Sequence, residues 1–162
     1  MTKFPVKTAF TALCLGAISL SLTFPAIAQA QSFTVSTSGD QSLLIDGNPY
    51  NNQIRGAAGG LKNSGTCGWI ESSPNHTFSV SSGGLVSMKI EVASPSVPQP
   101  YTLMIRNASD PGASPFCAIA DPDSGITAAI GGVWHSSSTY EIFVGNFDAS
   151  GSKLPYTLRI TK

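Results

Sequence analysis

The chain has 162 residues, of which nine are Lys or Arg and nine are Asp or Glu, so its formal net charge is zero. Charged residues make up only 11% of the sequence and form no basic run. This argues against nucleic acid as a partner, because phosphate binding needs clustered Lys and Arg. One domain is the expectation for this length.

The N-terminal segment has the layout of an export signal. Lys3 and Lys7 precede a mostly apolar run over residues 9–24, Pro25 ends that run, and small residues follow over 26–30. A positively charged start, an apolar centre and an A-x-A cleavage site are typical of a secretory signal peptide. The alternative, an uncleaved membrane anchor, would need about 20 apolar residues, and this run is shorter.

We therefore predict a signal peptide over residues 1–30, cleaved after Ala28 or after Ala30, and a secreted or periplasmic domain over 31–162. Removal of Lys3 and Lys7 leaves seven Lys or Arg against nine Asp or Glu, a net charge of −2. No second long apolar segment follows, so no membrane span is expected in the mature chain.

Apolar and polar residues alternate with a period of two in several later segments, which is typical of β-strands with one buried face. In one segment Tyr140, Ile142 and Val144 face one way. Phe143 and Phe147 face the other way, so this strand is predicted to be central and covered on both sides. In chain order the predicted strands are 33–37, 42–46, 76–81, 85–92, 101–107, 116–120, 127–133, 140–147 and 156–161.

Turn signals separate these strands, and no helix is predicted. Clusters such as Asp46-Gly47-Asn48-Pro49 set the backbone angles of tight turns. Many short strands joined by such turns predict an all-β fold, an antiparallel β-sandwich or jelly-roll-like domain. The Gly-rich residues 56–68 lack a strand pattern and predict a long loop. The predicted core residues are Phe78, Met88, Ile90, Leu103, Ile105, Ile142, Val144, Leu158 and Ile160.

Two cysteines, Cys67 and Cys117, remain when Cys14 is removed with the predicted signal. Export into an oxidising compartment makes a disulfide between them the expectation. The alternatives are free thiols or metal ligands, but two cysteines without a C-x-x-C pair or a nearby His make a poor zinc site.

Several short motifs follow one another in the second part of the chain. They are Cys67-Gly68-Trp69-Ile70, Pro74-Asn75-His76, Cys117, Ser124-Gly125, Gly132-Val133-Trp134, 140–145 and 156–160. In this order they resemble a group of short exported cyanobacterial proteins. Residues 76–161 also resemble the bacterial pre-peptidase C-terminal (PPC) domain, although its Gly-Thr-Tyr turn is Ser138-Thr139-Tyr140 here. The resemblance implies a small extracellular β-sandwich that acts as an accessory, binding or targeting module, and it supplies no catalytic residues.

Catalytic chemistry finds little support in the sequence. It contains no G-x-S-x-G elbow, no Ser-x-x-Lys pair and no H-E-x-x-H motif. We therefore expect no catalytic residue. His76 begins a predicted strand and His135 follows Trp134 at a predicted turn, and both are interpreted as structural residues.

A calcium site is a sharper hypothesis. Asp121 and Asp123 lie just before Gly125, and Asp110 or Asp148, on other predicted loops, could join them. Calcium takes six to eight oxygen ligands, which clustered carboxylates and turn carbonyls supply. The alternative is that Asp-Pro-Asp-Ser-Gly is simply a favourable turn. No other cofactor is expected.

Sugar binding is a further hypothesis, because exported sandwiches can stack sugar rings on exposed aromatic side chains. Trp134 and Tyr50 are the leading candidates, with Trp69 and Phe116 beside them. The alternative for Trp69 and Trp134 is packing in the core, for Trp69 against the disulfide.

These patterns favour a non-enzymatic exported binding or accessory module with a glycan or protein ligand at the cell envelope or outside the cell. Two alternatives stay open. One is a small secreted hydrolase or metal-dependent enzyme, and the other is a structural subunit of an extracellular matrix or appendage.

Overall fold

A computed structural model of the chain describes residues 30–38, 42–51, 54–81, 83–148 and 150–162. The predicted export signal therefore lies outside the described residues except for Ala30. Within the described ranges, no helix has the length and apolar character that crossing a bilayer requires.

The described residues form strands joined by turns, as the alternation predicted. The strands are β1 (Gln31–Thr37), β2 (Leu43–Ile45), β3 (Asn48–Pro49), β4 (Arg55–Ala58), β5 (Lys62–Asn63), β6 (Trp69–Ile70), β7 (His76–Val80), β8 (Leu85–Ala93), β9 (Tyr101–Asn107), β10 (Phe116–Ile119), β11 (Ala129–His135), β12 (Thr139–Asn146) and β13 (Leu154–Thr161).

Two sheets pack face to face. The larger sheet has the order β10-β9-β12-β7-β1-β2-β3, with β6 paired to β12 and β5 to β6. The smaller sheet has the order β11-β8-β13-β4. The strand pairs are antiparallel apart from β1 with β7, which run parallel. The predicted all-β sandwich is confirmed.

The core lies between the sheets, and all nine predicted core residues are buried in it. Strand β8 shows why the prediction succeeded, because exposed and buried residues alternate along most of its length. Burying apolar side chains contributes about 25 cal/mol per Å² of surface removed from water, so such a face determines the strand's orientation.

The outer face of the larger sheet carries a second, smaller apolar cluster. Met104 of β9 and Phe143 of β12 pack there against Cys67 and Ile70. The prediction that this central strand is covered on both sides is confirmed for Phe143. It is wrong for Phe147, which is 50% exposed because it follows the end of the strand.

The segment 59–70, which we call the cover, lies on this outer face. The predicted long loop over 56–68 is wrong in part, because it includes the end of β4 and all of β5. Strand β4 pairs with β13 through Arg55 and three small residues, and this sequence gives no clear alternation of apolar and polar side chains. Its pairing is determined by the partner strand, which local sequence does not show.

The predicted disulfide is confirmed and fixes the cover to the sheet. Cys67 and Cys117 are bonded, with their Cα atoms 5.8 Å apart. Cys67 is buried in the second cluster, whereas Cys117 is exposed on β10 opposite Met104 of β9. The bond therefore links the cover to an edge strand of the larger sheet.

Gly145 of β12 allows the cover to approach the sheet backbone. A Cβ atom here would lie 2.2 Å from the hydroxyl of Thr102 and 2.9 Å from both Ile70 Cγ2 and the Trp69 carbonyl oxygen. Thr102 also donates a hydrogen bond from its hydroxyl to the Cys67 carbonyl, at 2.7 Å. Close packing of β6 therefore requires a residue without a side chain at position 145.

Removing the disulfide should destabilise the protein strongly. The bond closes a loop with a sequence separation of 50. For such a loop the chain-entropy contribution is about 4 kcal/mol, so the Cys67→Ser, Cys117→Ser double variant should lose about that much free energy of unfolding. Urea denaturation measures this loss relative to the oxidised wild-type protein, and the reduced wild-type protein should lose a similar amount. Equal denaturation midpoints for oxidised and reduced protein would contradict this.

Substitution of Gly145→Ala should also destabilise the fold, by about 1–3 kcal/mol, because the added methyl group overpacks the contact between β12 and the cover. Gly83→Ala is the matched control, since a Cβ at Gly83 meets nothing within 4 Å. Thermal unfolding of both variants tests the expectation, which fails if the two melting temperatures fall by the same amount.

Candidate functional site

A cleft of about 870 Å³ opens where β1 and β7 begin, and we call it the polar cleft because most of the residues that line it are of polar types. One wall comes from β4 and β13, and another from the connection 71–75 between β6 and β7. Both sheets therefore contribute to it. The residues that line it include Arg55, Gly56, Glu71, Ser72, Ser73, Asn75, His76, Lys153 and Tyr156.

His76 and Tyr156 form a buried hydrogen-bonded pair in the wall of the cleft. The Nε2 atom of His76 lies 2.6 Å from the hydroxyl oxygen of Tyr156, and the rings meet edge to face at 89°. Only 2% of His76 and 1% of Tyr156 is exposed. The other ring nitrogen of His76, Nδ1, is buried and has no hydrogen-bond partner among the described residues.

Burial keeps both members of this pair neutral. It lowers the pKa of His76 from 6.5 to about 4, because an imidazolium would be desolvated there. It likewise raises the pKa of Tyr156 above its ordinary value of 10.0. At neutral pH the two side chains are therefore hydrogen-bonded to each other, and neither contributes a charge to the cleft.

Gly56 makes room for the tyrosine ring. A Cβ atom at this position would lie 2.5 Å from the Tyr156 hydroxyl oxygen and 2.7 Å from the ring carbon that carries it. Gly56 and Tyr156 are opposite each other in the β4–β13 ladder. A side chain at position 56 would push the tyrosine away from His76.

Asn75 joins three strands at the edge of the cleft. Its side-chain amide donates to the Ala57 carbonyl at 3.2 Å and accepts from the Val144 N–H at 2.8 Å. Its carbonyl accepts from the N–H of Gln31, at 3.2 Å. The wall is thus held by hydrogen bonds to β1, β4 and β12.

The charged groups of the cleft come from three residues. The Lys153 ammonium pairs with Glu71 and donates to the Gly59 carbonyl, so its charge is balanced. The exposed Arg55 makes no hydrogen bond or ion pair through its side chain with another described residue, whereas Arg159 pairs with a glutamate. Arg55 therefore gives the cleft a positive charge.

The histidines occupy positions that agree with structural roles. His76 is the first residue of β7, and its Nε2 atom is hydrogen-bonded to the Tyr156 hydroxyl. His135 is the last residue of β11 and is exposed. A general base must reach the proton it removes, which neither nitrogen of the buried His76 does in this arrangement.

The structure contradicts sugar stacking on Trp134. This residue is 2% exposed, and its indole N–H donates to the Met88 carbonyl at 3.1 Å. Its ring meets those of Phe78 and Tyr140 edge to face, at 5.3 and 4.9 Å. Trp134 is a core residue because even-numbered side chains of β11 point into the sandwich.

Tyr50 is also unavailable as a stacking surface. It is half-buried against the core, and its hydroxyl donates to the Leu158 carbonyl. Burial raises the pKa of Tyr50 to about 12. Of the other two aromatic candidates, Trp69 is half-buried and Phe116 is 56% exposed with one ring edge against Trp134.

The predicted acidic residues do not come together. The hydroxyl of Ser124, followed by the backbone N–H groups of Ser124 and Asp123, donates hydrogen bonds to Asp121, and these lower the pKa of its carboxyl. Asp110 caps its own turn by accepting the Gly112 N–H. Among the described residues no three His, Cys, Asp or Glu side chains group closely enough to hold a metal ion, so Asp110 and Asp148 do not complete a site. Calcium at Asp121 and Asp123 alone stays a prediction.

The cleft itself was not predicted from the sequence. Its residues come from positions that are spread along the chain from Ala30 to Tyr156, and each has an ordinary local explanation. Asn75-His76 was noted only as part of a motif. The one signal in the sequence that could have pointed to the cleft was Gly56, in a region interpreted as a loop. A glycine within a strand can mark a position that another group approaches closely.

Comparison with known proteins finds a similarity in structure. No protein-family model matches the chain, and no curated protein matches it. Among solved structures, the chain is similar to the pre-peptidase C-terminal domain of collagenase from Bacillus anthracis, with 14% sequence identity and a TM-score of 0.46. The similarity covers 82% of this chain and 97% of that one. Similarity at this level does not establish a shared family or function.

Protonation of His76 should destabilise the protein in acid. Because its folded pKa of about 4 lies below the ordinary 6.5, the unfolded chain binds more protons between these pH values. The stability contributed by neutral His76 is therefore present above pH 6.5 and is lost as the pH falls towards 4. The loss amounts to about 3 kcal/mol.

Urea denaturation at a series of pH values measures this loss. The His76→Gln variant should lack that part of the pH dependence, and the exposed His135→Gln control should keep it. Direct NMR titration of the His76 imidazole in the wild-type protein provides a check that needs no variant. Protonation at its ordinary pH would show that the expectation is wrong.

Proposed function

We propose that this chain is a non-enzymatic exported binding module and that its ligand is held in the polar cleft beside His76 and Tyr156. The ligand class that fits best is a saccharide that carries a carboxylate. The predicted signal over residues 1–30 supports export. The disulfide agrees with it, because such bonds persist in oxidising compartments.

The observation that carries the proposal is the composition of the cleft. Its volume of about 870 Å³ lies within the range of about 300–1,000 Å³ typical of small-molecule sites. It combines the guanidinium of Arg55, which pairs with no other described residue, with hydroxyl and amide groups. A guanidinium binds a carboxylate through two parallel hydrogen bonds, which gives both affinity and orientation.

Hydrogen bonds rather than ring stacking would recognise the sugar. Ser72 and Ser73 are exposed beside the cleft and supply hydroxyl groups. The buried, neutral pair of His76 and Tyr156 does not reach the ligand but forms a fixed, uncharged support behind the wall of the cleft. Because Glu71 is engaged by Lys153, an incoming carboxylate meets little repulsion.

Arg55→Gln should weaken binding of a hexuronate oligosaccharide at least tenfold, because a charge-assisted hydrogen bond contributes about 1.5–3 kcal/mol. A glycan array of acidic and neutral oligosaccharides selects the probe, and isothermal titration calorimetry measures its dissociation constant. Arg159→Gln is the matched control, since this arginine pairs with Glu91 outside the cleft.

The array should be run with and without a chelator. Binding that survives chelation assigns recognition to the cleft, whereas binding that needs calcium assigns it to the loop of Asp121 and Asp123. Retention of no acidic oligosaccharide, or equal affinity of the Arg55→Gln variant and wild type, would disprove the saccharide proposal.

A further inference from the structure

Strand β11 forms a free edge of the smaller sheet. It spans Ala129–His135 and pairs on one side with β8 through seven consecutive residue pairs, without a bulge. The opposite edge of this sheet is β4, which lines the polar cleft. The free edge of β11 is therefore separate from the cleft.

The register decides which backbone groups of β11 face outward. The N–H of Val92 donates to the Ala128 carbonyl, so these two residues form a hydrogen-bonded pair of the ladder. Such pairs alternate along an antiparallel ladder. Ile130, Gly132 and Trp134 therefore bond to β8, and the backbone groups of the residues between them point away from it.

Three residues consequently present unpaired N–H and C=O groups at the free edge, namely Ala129, Gly131 and Val133. They make no hydrogen bond to another described residue. The next outward residue, His135, is already engaged, because its N–H donates to the Tyr140 hydroxyl at 3.1 Å and its carbonyl accepts from Ser138 at 3.2 Å.

Nothing in the strand protects this edge from pairing. Soluble proteins commonly protect edge strands with lysine, proline, a bulge or very short length. The sequence Ala-Ile-Gly-Gly-Val-Trp-His has no charged residue and no proline. Val133 and Leu85, which lies diagonal to it on β8, are also 57% and 60% exposed, so apolar side chains flank the free backbone groups.

We propose that β11 is an interface between two copies of this chain, which pair antiparallel through their free edges. A two-fold axis at Gly131 places Gly131 opposite its own copy and Ala129 opposite Val133. All outward N–H and C=O groups of these three residues then form hydrogen bonds across the axis. The two smaller sheets join into one continuous sheet.

A second copy is the occupant that the chemistry of the strand fits. Antiparallel pairing about a two-fold axis places the residue on the axis against its own copy, so a charge at position 131 would meet the same charge. Here the residues at the axis are neutral and small. On the adjoining strand, Glu91 pairs with Lys89 at 3.2 Å and Arg159 at 3.6 Å, so the face beside the axis carries no large unbalanced charge.

The oligomeric state of the purified protein tests the proposal. Sedimentation equilibrium should show the mean mass rising from one chain towards two as the concentration increases to about 1 mM, at which a Kd of about 100 µM leaves most chains dimeric. A mean mass of one chain throughout would overturn the proposal, including the case in which the edge binds a strand of a different protein.

A matched pair of variants locates the interface. Gly131→Glu brings two carboxylates together at the axis and should raise the dissociation constant at least tenfold. Its Cβ meets nothing within 4 Å, and its cross-strand neighbour is Lys89, so folding should be preserved. Thr161→Glu adds the same charge beside the same lysine, from β13 and away from the edge, and should leave dimerisation unchanged.

Amide hydrogen exchange tests the register independently of any variant. At high concentration the N–H groups of Ala129, Gly131 and Val133 should exchange at least tenfold more slowly than at low concentration. The N–H groups of Ile130 and Gly132, which bond to β8, should be protected at both. Two results would place the interface elsewhere and overturn the proposal. One is a dimer in which alternate amides of β11 show no difference in protection, and the other is a dimer that Thr161→Glu weakens as much as Gly131→Glu does.

Discussion

The outer face of the larger sheet must be kept from water, and much of the structure depends on how this is achieved. The central strands β9 and β12 carry apolar residues on both faces, so the main core between the sheets can bury only half of them. The cover buries Met104 and Phe143 on the other side, and the disulfide holds it there. The cover makes few backbone hydrogen bonds through its short strands β5 and β6. These bonds alone do not offset the conformational entropy lost when the cover becomes ordered, and the disulfide reduces that entropy cost.

The same cover helps to form the polar cleft. It leads from β4 in the smaller sheet to β6 in the larger one, and the connection after β6 supplies Glu71 and the two serines. Lys153 contacts the cover at the Gly59 carbonyl while it pairs with Glu71. The element that closes the second apolar cluster therefore also positions charged groups of the candidate binding site.

The cleft and the free edge of β11 lie at opposite sides of the smaller sheet. Pairing of two chains through β11 would leave both clefts open to solvent. For a ligand with repeating units, two linked sites raise the apparent affinity without any new contact, provided that the geometry allows both to bind. The proposed dimer and the proposed saccharide ligand are thus compatible, although each depends on different residues.

Sequence reasoning succeeded where a local pattern reflects a strong force. Alternation identified the long strands and the core, because burial of one face dominates their energy, and two lone cysteines were enough to predict the bond between Cys67 and Cys117. It failed where the position of a side chain depended on pairing between strands that are distant in the sequence. Trp134 was a candidate surface for sugar stacking, but its position on β11 directs its side chain into the core.

The sequence by itself determined the all-β class, the buried faces of the long strands and the disulfide, since each follows from spacing or composition along the chain. Only the tertiary structure decided that β4 pairs with β13, that His76 meets Tyr156 across 80 residues and that β11 is left with a free edge. The physical reason is that hydrogen bonds between strands are made by backbone groups common to all residues. Which strands pair therefore depends on how the whole chain packs.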